Sequence, residues 1–238
     1  MLLKVNKVKK VKRKPGQKAH LTRAKIVAKA LPLLDQNPDL GMAGIAKGLG
    51  VAPAAIYAHF HGRLAEIHTE VIRAVLADVA RPPKPNETCE AYLRDLFDAV
   101  FAAFYKHRKV ALLFGREMAA NYYLNPLLVE RVLYALSLAD LPENEKAGAL
   151  DLIMGSLAGM VAIECAYPTP LTPLKWFESQ LSTIDDLPAG EYPLIKDLKV
   201  KLGDAAKSRA GHKPPSAPGA QRFADCVIAG LKVKFPKI

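Results

Sequence analysis

Eleven cationic side chains stand ahead of the first acid: Lys4, Lys7, Lys9, Lys10, Lys12, Arg13, Lys14, Lys18, Arg23, Lys25 and Lys29 all precede Asp35. The remaining 23 basic residues balance 23 acids, so the whole formal charge of +11 sits in the first thirty positions. Each Lys or Arg that neutralises a phosphate releases a condensed counterion, which makes nucleic acid the expected partner of this block. Val5, Val8 and Val11 offer too thin an apolar face for a membrane-bound helix, and no membrane is expected as a partner. Other chemistries find less support. His59, His61, Glu66 and His68 do not place three ligands on one helical face, because the chain between Phe60 and Arg63 reads as a helix break; no metal is expected. No Gly-rich phosphate loop, nucleophile elbow or catalytic carboxylate pair is visible, so neither enzyme activity nor a cofactor is expected. Cys89, Cys165 and Cys226 are odd in number and widely spaced, which suits reduced core thiols.

The elements that must position such groups read as helices. Ala and Leu total 68 against 33 for Val, Ile and Thr, which favours an all-α chain. The longest charge-free run in the most apolar segment, Leu152 to Ile163, is short for a bilayer span of about 20 residues. The Lys-rich start lacks a secretory apolar block, and the expected location is the cytoplasm. Residues 1–18 read as a flexible basic arm. Thr22 can cap a helix whose buried face is Ile26, Val27, Ala30, Leu33 and Leu34, with Pro32 expected to kink its last turns. Short helices from Met42 to Leu49 and from Pro53 to Phe60 follow. A longer one begins near Arg63, with Ile67, Val71, Val75 and Val79 at spacing four, and stops before the proline cluster at 82–85. Further helices are expected near 87–107, 109–122, 126–140, 143–166, 173–183 and 190–202. Gly203 to Gly219 reads as a mobile loop, and a last helix covers about 220–235.

Within Gly41 to Phe60, Ile45, Leu49, Val51 and Ile56 can face a core, Ala46 keeps the helix crossing close, and Gly50 can take the positive φ of a tight turn. The stretch Ile45-Ala46-Lys47-Gly48-Leu49-Gly50-Val51-Ala52-Pro53-Ala54-Ala55-Ile56-Tyr57-Ala58-His59-Phe60 resembles the DNA-binding unit of TetR-family (tetracycline-repressor-like) transcriptional regulators. The Leu-Gly-Val turn and the Tyr-x-His-Phe ending are its specific parts. Leu21-Thr22-Arg23, the helix through Leu34-Asp35, and Arg63-Leu64 extend the likeness. Tyr192-Pro193 and the segment from Arg222-Phe223-Ala224 to Gly230-Leu231 resemble the family's ligand-binding domain. The sequence also departs from the pattern. Gly41 and Met42 stand where the family usually has a capping Thr or Ser, and Arg63 where it usually has Lys. Gly48 inside a helix is expected to cost about 1 kcal/mol relative to Ala. Ala52, Ala54, Ala55 and Ala58 leave few side chains able to hydrogen-bond a base edge, although their methyls can meet thymine methyls.

The resemblance implies a helix-turn-helix DNA-binding domain over residues 19–66, with the motif at about 41–60, and a helical effector-binding and dimerisation domain over 67–238. It implies a dimeric regulator, a repressor released from a near-palindromic double-stranded DNA operator by a small-molecule effector. The residues so assigned to DNA are Thr22, Arg23, Ala52, Pro53, Ala54, Ala55, Tyr57, Ala58, His59 and Arg63, joined by Lys9, Lys10, Lys12, Arg13 and Lys14 of the arm. Phe101, Phe104, Arg116, Met118, Tyr122 and Glu164 are the candidates for an effector pocket. Homodimerisation is expected through helices at about 143–166 and 220–235, where Gly155-Ser156-Leu157-Ala158-Gly159 offers small residues for close approach. A low-specificity nucleic-acid-binding or architectural protein using the basic arm is the alternative.

Overall fold

The computed structural model describes residues 21–61, 63–79, 81–120, 125–139, 141–165, 178–179, 181–210 and 218–235; the basic arm lies outside them. The described elements are helical. Helix α1 (Arg23–Gln36) starts at Thr22, whose hydroxyl oxygen accepts the Lys25 N–H at 3.2 Å. Ile26, Ala30 and Leu34, four apart, are fully buried, as the spacing predicts. Pro32 does not end the helix: the chain stays helical to Gln36, and Asn37 N–H closes on the Leu33 carbonyl at 2.9 Å.

Helix α2 (Met42–Leu49) begins at Gly41 without a side-chain cap and ends at Gly50, whose φ of 68° is the left-handed conformation that glycine adopts without strain. Helix α3 (Pro53–Phe60) carries Pro53 in its first turn, where a missing N–H costs nothing. Gly48 turns out to serve a purpose. A Cβ there would lie 2.5 Å from Leu33 Cδ1, so the bare backbone makes the notch into which α1 packs, and the expected propensity cost is offset by that contact.

Helix α4 (Leu64–Val75) is four residues shorter than the Val71, Val75, Val79 spacing predicts. From Leu76 the chain tightens into turns, with Val79 N–H on the Leu76 carbonyl at 3.0 Å, and both apolar side chains are buried by that turn. The proline-rich stretch after it is pinned. The Arg81 guanidinium donates to both carboxylate oxygens of Glu87 at 2.8 and 2.6 Å and to Asp95 at 2.8 Å. The Tyr92 hydroxyl donates to the Arg81 carbonyl. The Arg81 pair holds the Glu87 carboxyl at about 2, well below the usual carboxylate range.

Helix α5 (Cys89–Lys106) is capped by Thr88 and runs through the body with Tyr92, Leu93, Leu96, Phe97, Val100, Phe101 and Phe104 buried. Helices α6 (Arg108–Ala120), α7 (Pro126–Leu138) and α8 (Glu143–Met160) follow, α8 continuing into a π-helical turn, Val161–Cys165. The continuous helix Glu143–Cys165 is long and apolar enough by composition to cross a membrane, unlike the shorter run visible in the sequence. Its apolar stripe, including Ile153, Met154, Leu157 and Met160, is buried against α5, α6, α7 and the last helix, while Leu152 and Ile163 remain exposed.

Helix α9 (Pro193–Ala210) overturns part of the expected loop at 203–219. It passes straight through Gly203, which is buried with Leu181 Cδ1 3.0 Å from where a Cβ would stand, and the following Asp-Ala-Ala-Lys run keeps it helical. Helix α10 (Pro218–Lys234) packs on α5 and α8. Cys89 and Cys165 are buried, and burial pushes their thiols up to about 11 and about 12. Cys226, expected in the core, is exposed on α10.

Candidate nucleic-acid interface

Two rigid turns fix the direction in which α3 points. Gly50 in the left-handed region joins it to α2, with Val51 N–H donating to the Ala46 carbonyl at 3.1 Å. His61, at φ 40°, ends it. Ile56 and Phe60 are fully buried against α1 and α4, so the opposite side of α3 faces out. Ala52, Pro53, Ala54 and Ala58 are exposed, Ala55 is half-buried, and Tyr57 is 44% exposed. His59 is half-buried on the flank nearer the core, and Arg63 is exposed at the N-cap of α4.

Arg23 does something the sequence did not announce. Its guanidinium donates to the His59 carbonyl, stacks 4.2 Å over the Phe60 ring, and lies 3.8 and 3.6 Å from Glu66 and Glu70. One side chain therefore ties the start of α1 to the end of α3 and to α4. Thr22 likewise uses its hydroxyl on the α1 cap and remains exposed. The arm residues Lys9, Lys10, Lys12, Arg13 and Lys14 lie outside the described residues.

The pocket candidates are only partly brought together. Phe101 and Phe104 are core residues, the latter with its ring centroid 4.6 Å from that of Phe114. Glu164 sits on the π-helical turn with its carboxylate against Gly219, where no Cβ would fit. Arg116 is mostly exposed, with Nη2 3.0 Å from His68 Nδ1. Tyr122 and the Met118 side chain lie outside the described residues. Among those residues no group of three potential ligands is poised for a metal ion.

Sequence reading missed the polar seam between α4, α1 and the body. His68 and Glu117 are buried, with Nδ1 3.0 Å from Oε1. His107, after α5, has Nδ1 3.2 Å from Asp35 Oδ2, and the Lys109 ammonium donates to the Gln36 carbonyl. A signal for His68 did exist: it lies four residues from Leu64 and from Ile72, inside the apolar stripe of α4.

No protein-family model matches the sequence, and no curated protein does. Solved structures match over most of the chain. ActR of Streptomyces coelicolor, described as a TetR-family protein in complex with actinorhodin, has a TM-score of 0.69 and 22% identity, covering 92% of this chain and 98% of that one. A TetR variant from Acinetobacter baumannii AYE in complex with minocycline has a TM-score of 0.58 and 20% identity, covering 91% and 99%. BioQ with its double-stranded DNA operator has a TM-score of 0.55 and 20% identity, covering 81% and 100%. At these identities the likeness is one of architecture, and the chain has the fold of the TetR-family transcriptional regulators.

Proposed function

We propose that the protein is a dimeric DNA-binding transcriptional regulator, a repressor whose hold on its operator is released by a small-molecule effector. The observation that carries the reading is the α2-turn-α3 unit. Its second helix has an outer side cleared of bulky groups and is fixed at both ends by left-handed residues, ahead of a helical body. A helix so presented fits the major groove, about 12 Å wide, with its leading end against base edges. Residues 19–66 serve as the reading head, preceded by the arm at 1–18, and residues 67–238 as the effector and dimer body. Ala52, Pro53, Ala54, Ala55, Tyr57 and Ala58 face the groove, while Thr22 and Arg63 lie near phosphates. Arg23 positions α3 through the His59 carbonyl and the Phe60 ring, and His59 flanks the groove side.

Dimerisation is supported by an exposed small-residue face. Leu152 and Gly155 of α8, Ile163 of the π-helical turn, and Cys226, Ala229, Gly230 and Val233 of α10 are all exposed in the single chain. A two-fold partner laid on that face would bury a continuous apolar surface and space two heads for a near-palindromic site. The effector site belongs among the body helices around Phe101, Phe104, Arg116, Met118, Tyr122 and Glu164, with no catalytic role. The neighbours bound to actinorhodin, minocycline and a DNA operator are consistent with this division of labour, as is a cytoplasmic location.

Capture of genomic fragments by the full-length protein tests the reading. One enriched palindrome is expected. Broad, salt-sensitive retention without enrichment would replace it with the low-specificity architectural reading, which the alanines of α3 favour, and no retention would remove both.

A further inference from the structure

The outward side of α3 carries almost no hydrogen-bonding side chain. Measured around the helix from buried Ile56 at about 100° per residue, Ala54 and Ala58 fall roughly 160° to either side, the positions farthest from the core. Both are exposed. Tyr57 lies about 100° round on one flank and Ala55 about 100° on the other, while His59 lies only about 60° from Ile56. The leading end, Ala52 and Pro53, adds two more exposed carbon surfaces. Arg, Lys, Asn and Gln, the side chains that make bidentate pairs with G or A, are absent from Pro53–Phe60.

A surface of methyls discriminates bases in one way only. In the major groove thymine alone projects an apolar group, its C5-methyl; cytosine carries only a hydrogen at C5 and places an amino donor where thymine has O4, which an alanine leaves unpaired. Resting on the reading of α3 as the major-groove helix, we infer that the protein selects its operator through thymine methyls packed against Ala54 and Ala58. The DNA class it recognises therefore has T·A pairs under the centre of each recognition helix, and Tyr57 supplies the one flanking polar contact. The short side chains help, since a helix with only methyls on its outer meridian can approach the groove floor closely enough for methyl-methyl contact.

The test uses the full-length protein and an operator selected from random duplex DNA. Each thymine is replaced in turn by deoxyuridine, which keeps base pairing and the O4 acceptor but lacks the methyl. Replacement under α3 is expected to weaken binding roughly fourfold per contacted methyl, and replacement elsewhere to leave it unchanged. Ala54→Ser and Ala58→Ser, both at exposed positions, should fold normally and reduce the thymine-to-deoxyuridine ratio toward one. Equal affinity for the thymine and deoxyuridine forms of an operator that is bound selectively would overturn the methyl reading while leaving the regulator reading intact. A deoxyuridine penalty that survives both serine variants would also overturn it, by placing the methyl contacts on another part of the protein. Failure to select any sequence would overturn both readings.

Discussion

The Nδ1 atom of His68 in α4 stands 3.0 Å from the Oε1 atom of Glu117 in α6, with 2% of the histidine and 8% of the glutamate exposed. Arg116 Nη2 reaches the same Nδ1 at 3.0 Å, and His68 Nε2 is buried without a hydrogen-bond partner among the described residues. Nδ1 can donate to the carboxylate or accept from the guanidinium, and either choice leaves Nε2 unsatisfied. Burial pushes the imidazole below its ordinary 6.5, against the opposing pull of Glu117, so the ring is neutral in the folded protein near neutral pH.

That arrangement fixes the sign of a pH effect. The folded state binds a proton at His68 less readily than the unfolded chain, so its contribution is complete above about 6.5 and declines as pH falls below that value. The loss amounts to about 1.4 kcal/mol for each unit by which the folded-state value is lowered. His68→Gln, which keeps a donor for Glu117, should flatten the decline in urea-unfolding free energy just below pH 6.5; a variant that declines as steeply as the parent would remove His68 from the account. The Glu87 pair acts in a separate window, stabilising above about 4.5 and fading toward about 2.

Tyr57 and His59, alike in sequence as DNA candidates, should separate in practice. Tyr57→Ala is expected to weaken binding to the selected operator by about 1 to 3 kcal/mol and to random DNA much less. His59→Ala, on the flank nearer the core and keeping the carbonyl that Arg23 engages, should change affinity for either DNA much less. Fluorescence titration with the two duplexes measures this, and equal behaviour of the variants would contradict the orientation of α3.

A Cβ added at Gly230 of α10 would meet nothing within 4 Å in the single chain, and the residue lies on the exposed small-residue face. Gly230→Arg should leave helicity unchanged and, by steric and charge conflict across the two-fold axis, yield a monomer in light scattering. A dimer of undiminished strength would place the interface elsewhere. Gly159, with Phe223 3.9 Å from its Cβ direction, is the poorer probe because an intrachain contact responds first.

The arm should add affinity without major-groove selectivity. If about four of its cations meet phosphates in each subunit, removing residues 2–14 will lower the slope of log affinity against log salt by several units. Any minor-groove insertion would add a preference for A·T-rich flanks. Salt titrations of full-length and shortened protein on one operator decide it, and an unchanged slope would exclude the arm from the interface.

Much of the head was legible because local chemistry determined it. Thr22 capped α1, Gly50 required positive φ, and Pro53 opened α3, each a choice made by one residue's own backbone or side chain. What escaped were decisions made at a distance. Gly48 reads as a propensity defect until Leu33 is seen lying against it, and nothing in the sequence signals that Arg23, a DNA candidate, also meets Phe60, Glu66 and Glu70. The burial of Gly203 in α9 places it beside Leu181, twenty-two residues away, a neighbour that the local composition does not reveal. In the body, the aromatic stripe predicted buried side chains, but spacing alone could not say which of them line a pocket.

The pinned proline stretch has a consequence for how the molecule comes apart. Arg81 holds Glu87 and Asp95, α4 packs against both α1 and α6, and one apolar cluster includes residues from Ile26 to Phe235. The stretch that opens with Arg81 is thus tied to α5 through Asp95. Residues on either side of the proline stretch are therefore expected to unfold together, in a single urea transition.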